Sequence, residues 1–205
     1  MIIKNLINEI LPDIWPMVLI ITVIVSSLRI AYLIKGNKKF SLYREFLNLI
    51  FIIYILCLYH VVTFQDINYG TNNFIPFKEI FRYTIGSHKF FRNIIGNILL
   101  FVPFGFFTSY YLKNKKMITT FILTLITSVT IEIVQYYIGR VFDIDDIILN
   151  VIGGIIGFLL FIGFDAIRHR LPKIFKSDAF LNILIILIIL LIIAYSFNLN
   201  IFNLF

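Results

Sequence analysis

The chain is poor in the groups that soluble enzymes depend on. Among its 205 residues only 14% are charged, with 11 Asp and Glu in all, and there is one cysteine. That cysteine, Cys57, excludes an intrachain disulfide and sits in an apolar run where packing is its expected role. The three histidines, His60, His88 and His169, are scattered without metal-ligand spacing, which argues against a zinc site. There is no phosphate-binding P-loop, no dinucleotide-binding glycine pattern and no nucleophile elbow, so those nucleotide and acyl-transfer chemistries have no motif here. What the chain has instead is apolar surface. It is 60% hydrophobic, with a mean hydropathy of +0.96, more than a soluble domain could hide.

The apolar residues fall into six runs, at 14–34, 46–63, 94–112, 117–138, 147–164 and 180–197. Each is about 20 residues, enough to cross a hydrocarbon core about 30 Å thick. Each should be a helix, because lipid offers the backbone no partner outside its own segment. The fold expected is all-α, a polytopic membrane bundle. It divides into a first span with its basic loop (1–45), a core (46–165), and a second basic loop with the last span (166–205). The first run is too long for a cleavable signal peptide and is flanked by Glu9 and Asp13.

Eleven of the 18 Lys and Arg fall in the loops after the first, third and fifth runs. The positive-inside bias then places those loops in the cytoplasm and both termini outside. Anionic headgroups suffice as partners for such loops, and no nucleic acid is implied. Arg29, inside the first run, is expected to snorkel to the interface. The long loop after the second run contains Pro76, which can open a short helix with Phe77, Ile80, Phe81 and Thr84 on one face. Such a segment would lie in the membrane interface, as an anchor or as a lid.

Polar side chains gather where the third run starts, the fourth ends and the fifth begins. In a bilayer they are costly unless paired or facing a wet cavity, which makes them a functional-site candidate. The fourth run carries a stripe of Thr124, Ser128, Glu132, Gln135 and Tyr136. Glu132 lies deep enough to need a proton or a partner such as Arg92 or Arg140. Asn93 and Asn97 stand one turn apart, and carboxamides at that spacing can bridge helices or bind a ligand. On the fifth run Asp146 and Asn150 share a face with Gly153, Gly154 and Gly157, a small-residue surface that lets another helix approach. Asp143, Asp145 and Asp146 exceed what one helix cap needs. With oxygen ligands they would suit Mg²⁺ or another divalent cation. Glu132, Asp146 and Arg140 are then the candidate reacting groups, with Arg92 or Arg140 as a phosphate fork.

The ordered motifs Asn73-Phe-Ile-Pro76-Phe77, Arg92-Asn93-Ile-Ile-Gly96-Asn97-Ile-Leu-Leu-Phe-Val-Pro103-Phe-Gly105, Glu132-Ile-Val-Gln135 and Arg140-Val-Phe-Asp143-Ile-Asp145-Asp146-Ile-Ile-Leu-Asn150-Val-Ile-Gly153 closely resemble the VanZ-like family. The resemblance spans about residues 72–163 and brings Asn73 into the candidate set. It implies a cell-envelope membrane protein associated with reduced susceptibility to the lipoglycopeptide teicoplanin. Three partners fit that expectation: an envelope lipid, a lipid-linked cell-wall precursor, or the lipoglycopeptide itself. Three roles remain open. One is binding or handling such a lipid at the outer leaflet; the second is a membrane enzyme acting on a lipid phosphate or diphosphate with an acid-held cation; the third is a non-catalytic binder or transporter-like bundle in which the same residues recognise a headgroup.

Overall fold

The computed structural model describes residues 2–36, 40–64, 71–113 and 115–196, with side chains described for 14–191 of these. Among the described residues six long helices follow one another: α1 Ile2–Gly36, α2 Leu42–Phe64, α3 His88–Leu112, α4 Met117–Tyr137, α5 Ile144–Arg170 and α6 Asp178–Ser196. Stretches of α1 to α5 are long and apolar enough to cross a membrane, over Ile14–Gly36, Leu42–Thr63, His88–Leu112, Met117–Tyr137 and Ile144–Arg170. The sixth expected span is a shorter apolar segment, Asp178–Leu191, among the described residues. Its expected end at residue 197 lies outside them, as do Lys38 and Lys39 of the first basic loop.

The chain forms two compact units. The first comprises Met1–Leu56 with Arg168–Phe205. Here Arg29 does not simply snorkel. Its guanidinium donates twice to the Glu45 carboxylate of α2, at 2.8 and 3.0 Å, so the charge is neutralised by a fork on a neighbouring helix. The start of α2 is tied to α6 by the Tyr43 amide, which donates to Asn182 Oδ1 at 2.9 Å.

The second unit, Cys57–Ile167, holds the end of α2, the 71–87 loop, and α3, α4 and most of α5. Its packing rests on glycine. A methyl group at Gly153 or Gly157 would fall on the α3 carbonyls of Ile98 and Val102, and one at Gly105 on the backbone of Gly154. One at Gly154 would strike the Thr124 side chain of α4. In lipid, where apolar residues gain little by leaving the solvent, close backbone approach of this kind supplies the packing energy. At the opposite end from the polar cluster, Lys115 pairs with Asp165 at 2.6 Å.

Two local departures from regular helix matter. In α3 the main chain widens over Phe91–Ile95, so that the Gly96 amide donates to the Phe91 carbonyl five residues back. This turn contains Asn93 and directly precedes Asn97, and it breaks the simple one-turn stacking expected of them. In the 71–87 loop, Pro76 does not open a helix. Phe77 has φ +67°, and only a 3-10 turn at Ile80–Arg82 forms. The cause is Asp145, whose carboxylate turns the loop's amides onto itself.

Candidate functional site

The start of α3, the end of α4 and the start of α5 meet through side chains. Asn97 Nδ2 donates to Asp146 Oδ1 at 2.5 Å, joining α3 to α5. The Asp143 amide donates to Glu132 Oε2 at 2.9 Å, joining the α4–α5 turn to α4. Deeper in the bundle, Asn150 Nδ2 donates to Ser128 Oγ at 2.9 Å.

Glu132 is only 2% exposed, a burial that requires its oxygens to find donors. The hydrogen-bond network orients the Gln135 carboxamide between two charges. Its nitrogen donates to Glu132 Oε1 at 2.9 Å and its oxygen accepts from Arg140 Nη1 at 2.8 Å. The same Nη1 also donates to the Val62 carbonyl of α2 at 2.7 Å. Arg140 thus reaches Glu132 through an amide relay. Burial lowers the Arg140 pKa, against the opposing pull of the Glu132 and Asp146 carboxylates.

These groups line a cavity of about 40 Å³, room for a few waters or one small polar group. Asn97, Glu132, Gln135, Arg140, Asp146 and Asn150 supply its polar side, and Leu58, Val61, Val62, Leu100, Phe101 and Ile131 its apolar side. Asn150 Oδ1 is buried there without a hydrogen-bond partner.

The remaining candidates do other work. Asp145, 1% exposed, accepts from the amides of Phe77, Glu79 and Ile80 at 2.5, 2.7 and 3.2 Å. Asn73 Nδ2 donates to Asp143 Oδ1 at 2.8 Å, and its backbone bridges to the strand-like segment at Asp143. Asp143 Oδ1 also caps the Asp145 amide at 2.9 Å. Burial raises the Asp143 pKa, with the Asn73 hydrogen bond opposing. Asn93 hydrogen-bonds the Tyr83 hydroxyl, whose pKa burial raises. Arg92 is exposed, as is Tyr136, which leaves the α4 stripe; Thr120 takes a buried place in it instead.

The three aspartates expected to hold a metal point to different partners in this structure. The three carboxylates serve the Asn73 amide, the loop main chain and Asn97 respectively. Among the described residues no three His, Cys, Asp or Glu side chains are grouped to hold an ion.

Two participants carried no sequence signal: the Val62 carbonyl, a main-chain group, and the apolar end of α2, whose composition matches any other span.

Residues 49–168, more than half of the chain, match the VanZ/LLP1 family. The chain belongs to the VanZ/LLP1 family. All the polar residues of the cavity lie inside the matched region. Among curated relatives, it is 32% identical over 102 residues to "Protein VanZ" of Enterococcus faecium, covering 49% of this chain and 62% of the relative. The match thus spans less than two thirds of that relative's length. No solved structure matches. With its membrane-length helices, this VanZ/LLP1 protein is a multi-pass membrane protein.

Proposed function

We propose that the protein acts in the cell envelope to reduce susceptibility to teicoplanin-like lipoglycopeptides, by binding or handling an envelope lipid or lipid-linked precursor at the outer leaflet. The observation that carries this reading is the cavity at one end of the second unit, a mainly polar hollow with apolar side chains along one wall. One wall offers hydrogen-bonding groups and the other offers the apolar end of α2, which suits a molecule that is itself half polar and half lipid. The positive-inside bias favours an outward orientation for that end, where a lipoglycopeptide meets its lipid-linked target. The family membership and the Enterococcus faecium relative's name support the teicoplanin part of this reading.

The enzymatic alternative, attack on a lipid phosphate or diphosphate with an acid-held divalent cation, has less behind it. It would need Asp143, Asp145 and Asp146 to converge, and each is engaged elsewhere. Binding is the simpler reading.

The test is complementation in a teicoplanin-sensitive Gram-positive host lacking a family member. The intact chain should raise the inhibitory concentration several-fold. Glu132→Gln keeps the shape of the side chain but removes its charge and turns one acceptor towards a donor. It should abolish the gain while the protein still accumulates in the membrane. An unchanged inhibitory concentration for Glu132→Gln and Asp146→Asn alike would remove the cavity from the mechanism. Activity that vanishes on chelation of divalent cations and returns with Mg²⁺ would favour the enzyme instead.

A further inference from the structure

We infer that the group admitted to the cavity is a hydrogen-bond donor of positive charge, a primary ammonium, rather than a phosphate. This deepens the lipid-binding reading and rests on it.

The argument is one of donors and acceptors. Each carboxamide on the polar wall already turns one of its hydrogens to a protein acceptor. Gln135 Nε2 serves Glu132, Asn97 Nδ2 serves Asp146, and Asn150 Nδ2 serves Ser128. Both hydrogens of Arg140 Nη1 are engaged, by Val62 and Gln135. An incoming phosphodiester brings only acceptors and could supply a donor to none of the wall's unpartnered oxygens.

The acceptors are in surplus. Asn150, 5% exposed, buries Oδ1 with no donor, a deficit worth a lost hydrogen bond until something supplies one. Asp146 Oδ2 accepts no hydrogen bond from the described residues, while Oδ1 is held by Asn97. Among the lining side chains, Glu132 and Asp146 set two acidic groups against the single guanidinium of Arg140. An ammonium carries three donors and no acceptor, which is the complement of what the wall lacks. Size agrees, since about 40 Å³ holds an –NH₃⁺ group and little beyond it. The rest of the ligand would then lie along Leu58, Val61 and Val62. Such an ammonium could belong to an amino-bearing phospholipid headgroup or to the peptide of a lipid-linked precursor. The chemistry recognised is the same.

The experiment uses the full chain in detergent and reads its melting temperature at constant ionic strength. Ethylammonium chloride should raise it in a saturable way. Tetramethylammonium, with the same charge but no N–H and a larger volume, should not, and inorganic phosphate should not. Asp146→Asn and Asn150→Leu should each weaken ethylammonium binding at least ten-fold. The wild-type selectivity series decides the matter even if those variants fail to fold. Two further arms locate the source. Nanodiscs of phosphatidylethanolamine are compared with nanodiscs of phosphatidylglycerol, and a soluble alanyl-lysine dipeptide is tested separately. Stabilisation by the ethanolamine lipid assigns a headgroup, stabilisation by the dipeptide assigns a precursor peptide, and either supports the inference. If phosphate or phosphatidylglycerol stabilises the chain and the amines do not, the inference falls while lipid binding stands. If no amine, phosphate or lipid has any effect, both fall.

Discussion

Asp145 Oδ1 accepts the main-chain N–H of Phe77 at 2.5 Å, fastening the 71–87 loop to the first turn of α5 across 68 residues of sequence. Phe77 is a non-glycine residue at φ +67°, a conformation that costs about 1–2 kcal/mol. Charge-assisted hydrogen bonds from Phe77, Glu79 and Ile80 to one buried carboxylate offset that cost. The carboxylate that looked like a metal ligand is the anchor of the loop beside the cavity.

Replacing that anchor should release the loop before it disturbs the helices. Asp145→Asn keeps the volume but turns an NH₂ towards amides that need an acceptor. The expected loss is about 2–3 kcal/mol, seen as a lower melting temperature in detergent and faster proteolytic nicking within residues 71–87. Phe77→Gly, which takes positive φ without strain, should lower the melting temperature far less. Equal resistance to nicking in Asp145→Asn and the parent chain would contradict the anchor.

Close packing of α5 on α4 makes a second expectation. A methyl group on Gly154 meets Thr124, and overpacking of this kind costs about 1–3 kcal/mol. Gly154→Ala should therefore melt at lower temperature, and Gly154→Ala with Thr124→Ala should recover part of the loss by removing the obstructing atoms. The comparison is a double-mutant cycle in which a coupling near zero would refute the contact.

Sidedness gives the third. Phe81, 83% exposed, belongs to the loop by the polar cluster, whereas Lys113 closes α3 at its other end. In a Cys57→Ser background, Phe81→Cys should react with an impermeant maleimide on intact cells. Lys113→Cys should react only after permeabilisation. Labelling of both from one side would break the topology on which the outer-leaflet reading depends.

The span pattern was legible in the sequence because lipid imposes it: about 20 apolar residues must become a helix when no external partner exists for the backbone. The order of spans, in turn, put the start of α3, the end of α4 and the start of α5 at one end. Glycine spacing announced close packing for the same local reason, since the face a residue occupies follows from helical period alone.

Partnership was decided only by the tertiary structure. Six aligned polar residues share the cavity, yet Asp145 and Asp146, neighbours in sequence, serve the loop and Asn97. Consecutive helical positions differ in direction by about 100°, and a widened turn in α3 shifts the register further. Nor could the sequence place the Val62 carbonyl against Arg140. A main-chain oxygen has no side-chain signature, and which one an arginine meets depends on how far two helices, distant along the chain, slide past each other when they pack.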